Sequence, residues 1–161
     1  MGRVTEGRPL VLVVNGPNLD KLGTRQPEIY GSTTLTELGA QLRARGKELG
    51  LDVEFFQSND ETSIVSAVSE APGRGTAAIL INPAALSHFS FPLREVLAAT
   101  GLPVVEVHIS NIHAREPFRR ISLVSGVAKG VVAGLGVTGY ALALEAIAGI
   151  VGIPHDGDAK V

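Results

Sequence analysis

The chain has 161 residues, enough for one domain with a real core, and its formal net charge of −2 gives no pull towards nucleic acid or an anionic bilayer. It contains no cysteine, which excludes disulfides, thiolate metal centres and a cysteine nucleophile, and suits a reducing cytoplasm. Residues 1–9 carry no apolar stretch of signal-peptide type, and no run is long and apolar enough to span a bilayer, so neither membrane nor nucleic acid is expected as a partner.

Residues 1–9 read as a flexible lead-in and residues 153–161 as a disordered tail, which leaves a single domain over 10–152. Within it, residues 10–14 form a short apolar run of buried-strand type. Residues 15–30 read as a long loop rich in Gly, Pro and Asn. Thr34-Leu35-Thr36-Glu37 is a capping box, followed by Leu35, Leu38, Leu42 and Leu49 near helical spacing, with Gly50 as the stop. A second strand is expected over 51–56, a weaker helix over 61–70 ended by Pro72-Gly73, and a continuous apolar strand over 77–81 broken by Asn82-Pro83. A helix over 91–99 stops before Gly101, and strands follow over 103–107 and 130–133. The last helix, 137–151, carries Leu142, Leu144, Ile147 and Ile150 and almost no polar face, as a deeply buried or subunit-interface helix would. Regular alternation of strand and helix predicts an α/β fold: a doubly wound, five-stranded parallel sheet in one domain.

Three polar clusters fall at the carboxyl ends of these strands, where open α/β sheets bind ligands. The first is Asn15-Gly16-Pro17-Asn18, followed by Arg25 and Tyr30. The second is Asn82, with His88 six residues on. The third is the densest: Glu106, His108, Ser110, Asn111, His113, Arg115 and Glu116 lie within eleven residues, with Arg119 just beyond. Glu106 and His108 alternate along a strand and so share a face, where a carboxylate fixes an imidazole's tautomer and favours its protonated form. A guanidinium near a phenol stabilises the phenolate, which makes Tyr30 with Arg25 a candidate general base. Asn18, Asn82 and Ser110 suit a polyhydroxylated or carboxylated small molecule, and Arg119 can hold a hydroxyl or carboxylate. Of the four lysines, Lys21, Lys47 and Lys160 fall in predicted loops or on an exposed helix and Lys129 precedes a strand far from these clusters, so none is placed as a desolvated Schiff-base nucleophile; no phosphate-binding loop is present, and His88, His108 and His113 match no zinc spacing.

In this order the residues resemble the type II 3-dehydroquinate dehydratases. The similarity runs over about residues 10–148 and rests on Asn15-Gly16-Pro17-Asn18-Leu19, Leu22-Gly23 through Arg25 to Glu28-Ile29-Tyr30-Gly31, Gln57-Ser58-Asn59, Ile81-Asn82-Pro83, Glu106-Val107-His108-Ile109-Ser110-Asn111, and Gly134 through Gly139-Tyr140. The resemblance implies a flavodoxin-like fold, a trimer-based dodecamer, and cofactor-free, metal-free reversible dehydration of 3-dehydroquinate to 3-dehydroshikimate, in the shikimate pathway to aromatic amino acids or in quinate breakdown. It implies Tyr30 as the base at C2, Arg25 as the group supporting the phenolate and the transition state, and Asn18 as holder of a water against the oxyanion. His108 would protonate the departing C1 hydroxyl, oriented by Glu106. Asn82, His88, the backbone of Ile109, Ser110 and Arg119 would bind substrate, and Arg115 would belong to the active-site lid. Leu86 and Phe89 depart from the family's usual Tyr and Thr, and Glu95 stands where an Asp reaching a neighbouring subunit's site is usual. Those departures set a second expectation beside the lyase: a catalytically impaired paralogue that binds small molecules or assembles on the same fold.

Overall fold

The computed structural model describes residues 7–152, so the expectations for residues 1–6 and 153–161 fall outside the described residues. Five parallel strands, β1 (Leu10–Asn15), β2 (Asp52–Gln57), β3 (Thr76–Asn82), β4 (Val104–His108) and β5 (Gly130–Ala133), form one sheet in the order β2-β1-β3-β4-β5. Because successive side chains of a strand face opposite sides, the sheet divides the core in two. Val11, Val13, Leu80, Val105 and Val107 pack under α2 (Leu35–Glu48) and α5 (Thr138–Ile150). Leu12, Val14, Ile79, Ile81 and Val104 pack on the other side, under α3 (Glu61–Glu70) and α4 (Phe91–Ala99). This is the doubly wound parallel sheet expected from the alternation. No helix among the described residues is long and apolar enough to cross a membrane.

The helices begin where their capping residues stand. Thr34 accepts from Glu37 N while Glu37 reaches back to Thr34 N, the reciprocal box of the sequence. Asp60 and Ser90 cap α3 and α4 as simple acceptors, taking the N–H of Ser63 and of Leu93. The face of α5 on the core carries Tyr140, Ala143, Leu144, Ile147 and Ala148, whereas Leu142 and Ile150 remain exposed.

Two differences from the sequence expectation matter for function. β1, β3 and β4 each run one residue past the last apolar one, to Asn15, Asn82 and His108. Asn15 pairs in register with both Gln57 and Asn82. Hydrophobicity falls at the strand end while the ladder continues, so these polar groups sit on the rigid sheet instead of in loops. Residues 15–30 are also more ordered than the long loop expected: a 3-10 turn (Leu19–Lys21) and a short helix α1 (Pro27–Tyr30) interrupt them. Buried Leu19 and Leu22 pin this segment to the core. Pro27 at the first helical position and Gly31 beyond the last are the helix signals that mark α1.

Candidate active site

β2 lies on one side of β1 and β3 on the other, so the chain reverses its direction across the sheet between β1 and β3. Ligands bind at such a reversal, above the carboxyl ends of the strands. A cavity of about 380 Å³ opens there, within the range that small molecules occupy. Asn18, Arg25 and Tyr30 line it from the segment after β1, and Asn82 and His88 from the end of β3. His108, Ile109, Ser110, Arg115 and Arg119 line it from the end of β4. The three polar clusters therefore converge. Glu106 lies beneath His108, and Glu95 is exposed on α4 and does not line this cavity. His113 is also exposed and outside it, so of His88, His108 and His113 only the first two line the cavity.

On one side of the cavity stands a buried acidic-imidazole pair. Glu106 is fully buried and His108 nearly so, and His108 Nε2 lies 3.4 Å from Glu106 Oε1. The contact is electrostatic, with Nε2 making no hydrogen bond of full geometry. With Nε2 turned inward to the carboxylate, Nδ1 is the nitrogen left for a ligand. The hydroxyls of Ser122 and Ser125 each donate to one oxygen of Glu106. Burial pushes the Glu106 carboxyl upward, but the contacts of His108, Ser122 and Ser125 outweigh it and hold the group below the ordinary carboxylate value.

The opposite side is more open. Tyr30, the last residue of α1, is half-buried, and Arg25 and Asn18 are exposed. The guanidinium on the Tyr30 hydroxyl belongs to Arg115, not Arg25. Arg115 Nη1 donates to Tyr30 Oη at 2.9 Å and lies over its ring, 5.8 Å from the centroid, and the same nitrogen reaches Ser110 Oγ at 3.3 Å. Arg25 shares the cavity wall without that bond, because α1 turns the chain between the two residues. Asn18 is held by its backbone, whose N–H donates to Asn59 Oδ1 at 2.9 Å, so its side chain is free to face a ligand.

Asn82 is fixed from behind. Its Oδ1 accepts from Ala84 N at 3.1 Å, and its Nδ2 donates to Tyr140 Oη at 2.9 Å. Tyr140 in turn donates to Asn15 Oδ1 at 2.8 Å, and Asn15 Nδ2 donates to the carbonyl of Phe56. Burial pushes the Tyr140 phenol well above its ordinary value, against the pull of Asn82, so it stays neutral in this relay. His88 Nδ1 lies 2.8 Å from the carbonyl of Ile121 and must carry the proton there, which leaves Nε2 for other partners. Arg119 Nε is 2.9 Å from Glu116 Oε2, and its guanidinium stacks 4.8 Å from the Phe118 ring.

The backbone is strained at this one place. Asn18, Gln26 and Ala84 have φ of 69°, 45° and 51°, and all three line the cavity. They are the non-glycine residues with left-handed backbone among the described residues, and such strain gathers at functional sites. Gly16 permits the tight approach beside them, since a Cβ there would lie 2.4 Å from the carbonyl oxygen of Pro83. Sequence reasoning missed the relay through Asn15 and Tyr140, the two serines on Glu106 and the partner of Tyr30. Tyr140 was legible as a polar-tipped aromatic in a largely apolar helix, whereas nothing local connects residues 122–125 to β4.

The chain matches the family described as Dehydroquinase class II over residues 9–148. It is 51% identical to the 3-dehydroquinate dehydratase of Methylococcus capsulatus over 136 residues, 84% of this chain and 92% of that one. It is 47% identical to the 3-dehydroquinate dehydratase of Thermus thermophilus over 148 residues, 92% of this chain and 99% of that one. The crystal structure of the type II dehydroquinase from Propionibacterium acnes superposes with a TM-score of 0.85 at 46% identity, covering 89% of this chain and 98% of that one. The matched span takes in all five strands and every residue lining the cavity, and on these findings the chain belongs to the class II dehydroquinase family.

Proposed function

We propose that the chain is a hydro-lyase that reversibly converts 3-dehydroquinate to 3-dehydroshikimate, with Tyr30 as base and His108 as acid. One observation carries the assignment of roles. A phenol held by a guanidinium and an imidazole backed by a buried carboxylate line the same cavity. Tyr30 Oη removes the C2 proton, and the electron pair moves to the carbonyl oxygen as an enolate. Asn18 holds a water against that oxygen, and Arg25 and Arg115 supply the positive charge around it. When the enolate collapses, the C1–C2 double bond forms and the C1–O bond breaks. His108 delivers a proton to the leaving oxygen, which departs as water. Asn82, His88, the Ile109 backbone, Ser110 and Arg119 provide the fixed donors and acceptors that a hydroxylated carboxylate needs. Every proton is moved by a side chain of this protein, so the scheme uses no metal or cofactor.

The same reading includes a cytoplasmic homo-oligomer built on trimers, most naturally a dodecamer, in which Glu95 reaches a neighbouring site. In support, Phe91 lies one helical turn before Glu95, and Phe89, Phe91, Phe118 and Ile121 are all exposed apolar groups. Purified protein should generate the conjugated enone product from 3-dehydroquinate, seen as rising near-ultraviolet absorbance. Treatment with chelator, or with borohydride in the presence of substrate, should leave the rate unchanged. Silence in that assay would overturn the assignment. Light scattering that shows a fully active monomer would remove the shared-site part.

A further inference from the structure

Glu106 is sealed in the ladder, with Ile81 of β3 and Val131 of β5 as its register partners. A buried carboxylate persists as an anion only when other groups replace the water it has lost. His108 replaces part of it, at 3.4 Å from one oxygen. The rest comes from residues 122–125: Ser122 Oγ donates to Oε1 and Ser125 Oγ to Oε2. Ser122 Oγ also accepts from Val124 N at 3.2 Å, which leaves its own proton for the carboxylate. An anionic carboxylate accepts from both hydroxyls at once, so each of its buried oxygens has a donor in place of water. This segment is anchored independently of Glu106. Leu123 N donates to the Ser87 carbonyl at 2.7 Å, Arg94 Nη1 of α4 donates to the Leu123 carbonyl at 2.7 Å, and Val124 is fully buried.

We propose that Ser122 and Ser125 are positioning residues for the acid step, holding Glu106 anionic and aimed at His108 so that His108 is loaded with the proton it gives to the leaving hydroxyl. The proposal rests on the reading of His108 as the acid. The charged and titratable surroundings of Glu106 are few. His108 faces it from β4, its register partners on β3 and β5 are apolar, and the guanidinium that α4 sends to the 122–125 segment, that of Arg94, is engaged by Leu123. Without the two hydroxyls, burial would drive Glu106 towards its neutral form, and a neutral partner gives an imidazole no reason to stay protonated.

The test is the double variant Ser122→Ala/Ser125→Ala, with Ser122→Thr and Ser125→Thr as rescues and His108→Ala alongside. Three readouts are needed: steady-state dehydration, its pH profile, and deuterium exchange at substrate C2. In the double variant kcat should fall by about 10- to 100-fold, about tenfold for each serine, with KM changed less than about threefold. The pH above which kcat declines should move down, and exchange at C2 should continue at the native rate because Tyr30 is untouched. The threonine variants, which keep a hydroxyl, should recover most of the rate. Native kcat and pH profile in the double variant, with His108→Ala inactive, would overturn the proposal while sparing the acid assignment. Parallel loss of exchange and dehydration would reduce the serines to a structural role and also overturn it. Normal turnover by His108→Ala would remove the acid and the proposal with it.

Discussion

The two walls of the cavity are built on opposite plans. The wall that carries the proposed acid belongs to the sheet: Glu106 and His108 are buried strand residues, Glu106 is bonded to Ser122 and Ser125, and Asn82 is locked through Tyr140 to Asn15. The wall that carries the proposed base belongs to connecting segments: Asn18 and Arg25 are exposed, Tyr30 ends a one-turn helix, and its hydroxyl is held by Arg115 from another connection. Proton donation to a leaving group needs a fixed, charged, water-poor setting. Substrate entry needs a wall with little core behind it. The difference teaches that activity and stability should be coupled on the acid wall and uncoupled on the base wall.

Paired variants give the largest contrast. Tyr30→Phe should lower kcat by about 10³-fold while leaving the melting temperature nearly unchanged, since Tyr30 is only half-buried and phenylalanine keeps its ring. His108→Ala should abolish steady-state dehydration comparably, and also cost about 1–3 kcal/mol of stability by leaving Glu106 with an unmet contact. Denaturant melts and kinetics on both proteins test this. Equal destabilisation by the two would dissolve the distinction between the walls.

Next in size is Tyr140→Phe. Removing the hydroxyl leaves Asn82 Nδ2 and Asn15 Oδ1 without their partner inside the core, at a cost of about 1–3 kcal/mol. Asn82 would then lose its fixed orientation, so KM should rise while kcat changes little. A rise in KM without destabilisation would mean that the relay is not under load in the folded state.

How much of this was legible follows the same division. The sheet, its caps and its carboxyl-end clusters could be read because hydrophobic alternation and capping chemistry are local: Thr34 with Glu37, and the spacing of Glu106 and His108, need no tertiary knowledge. Residue similarity alone supplied the expected water-holding role of Asn18, whereas Arg25 was read from its place beside Tyr30. What stayed hidden were contacts between residues far apart in sequence. Arg115 to Tyr30 spans 85 positions, Tyr140 to Asn15 spans 125, and Ser122 to Glu106 spans 16 across a turn with no repeating pattern. The strand ends were misread by one residue because polar side chains, which usually mark a loop, remained in the ladder.

The acid wall also has a pH signature. The Glu106 carboxyl is held below its ordinary value in the folded protein, so its contribution to stability is complete above the ordinary carboxylate range and is lost as pH falls through the folded value. Glu106→Gln removes that titration. Melting temperatures taken from about pH 6 to about pH 3 should therefore show the native protein losing its advantage over Glu106→Gln as the pH falls. A constant difference across the series would mean that Glu106 carries the same proton folded and unfolded.

The smallest expected effect probes the join between the base wall and the core. Thr34 follows Tyr30 by four residues and caps α2, accepting from Glu37 N at 3.2 Å while Glu37 accepts from Thr34 N at 2.9 Å. Thr34→Ala removes half of this reciprocal pair and should cost about 1 kcal/mol of stability. The segment before it is anchored separately, by buried Leu19 and Leu22 on one side and by Arg115 on Tyr30. The position of Tyr30 should therefore survive the loss of the cap, and kcat and KM should stay at native values while the melt shifts down. A matching fall in kcat would show that Tyr30 is held through α2 instead of through Arg115, and would bring the base wall under the same coupling of stability and activity as the acid wall.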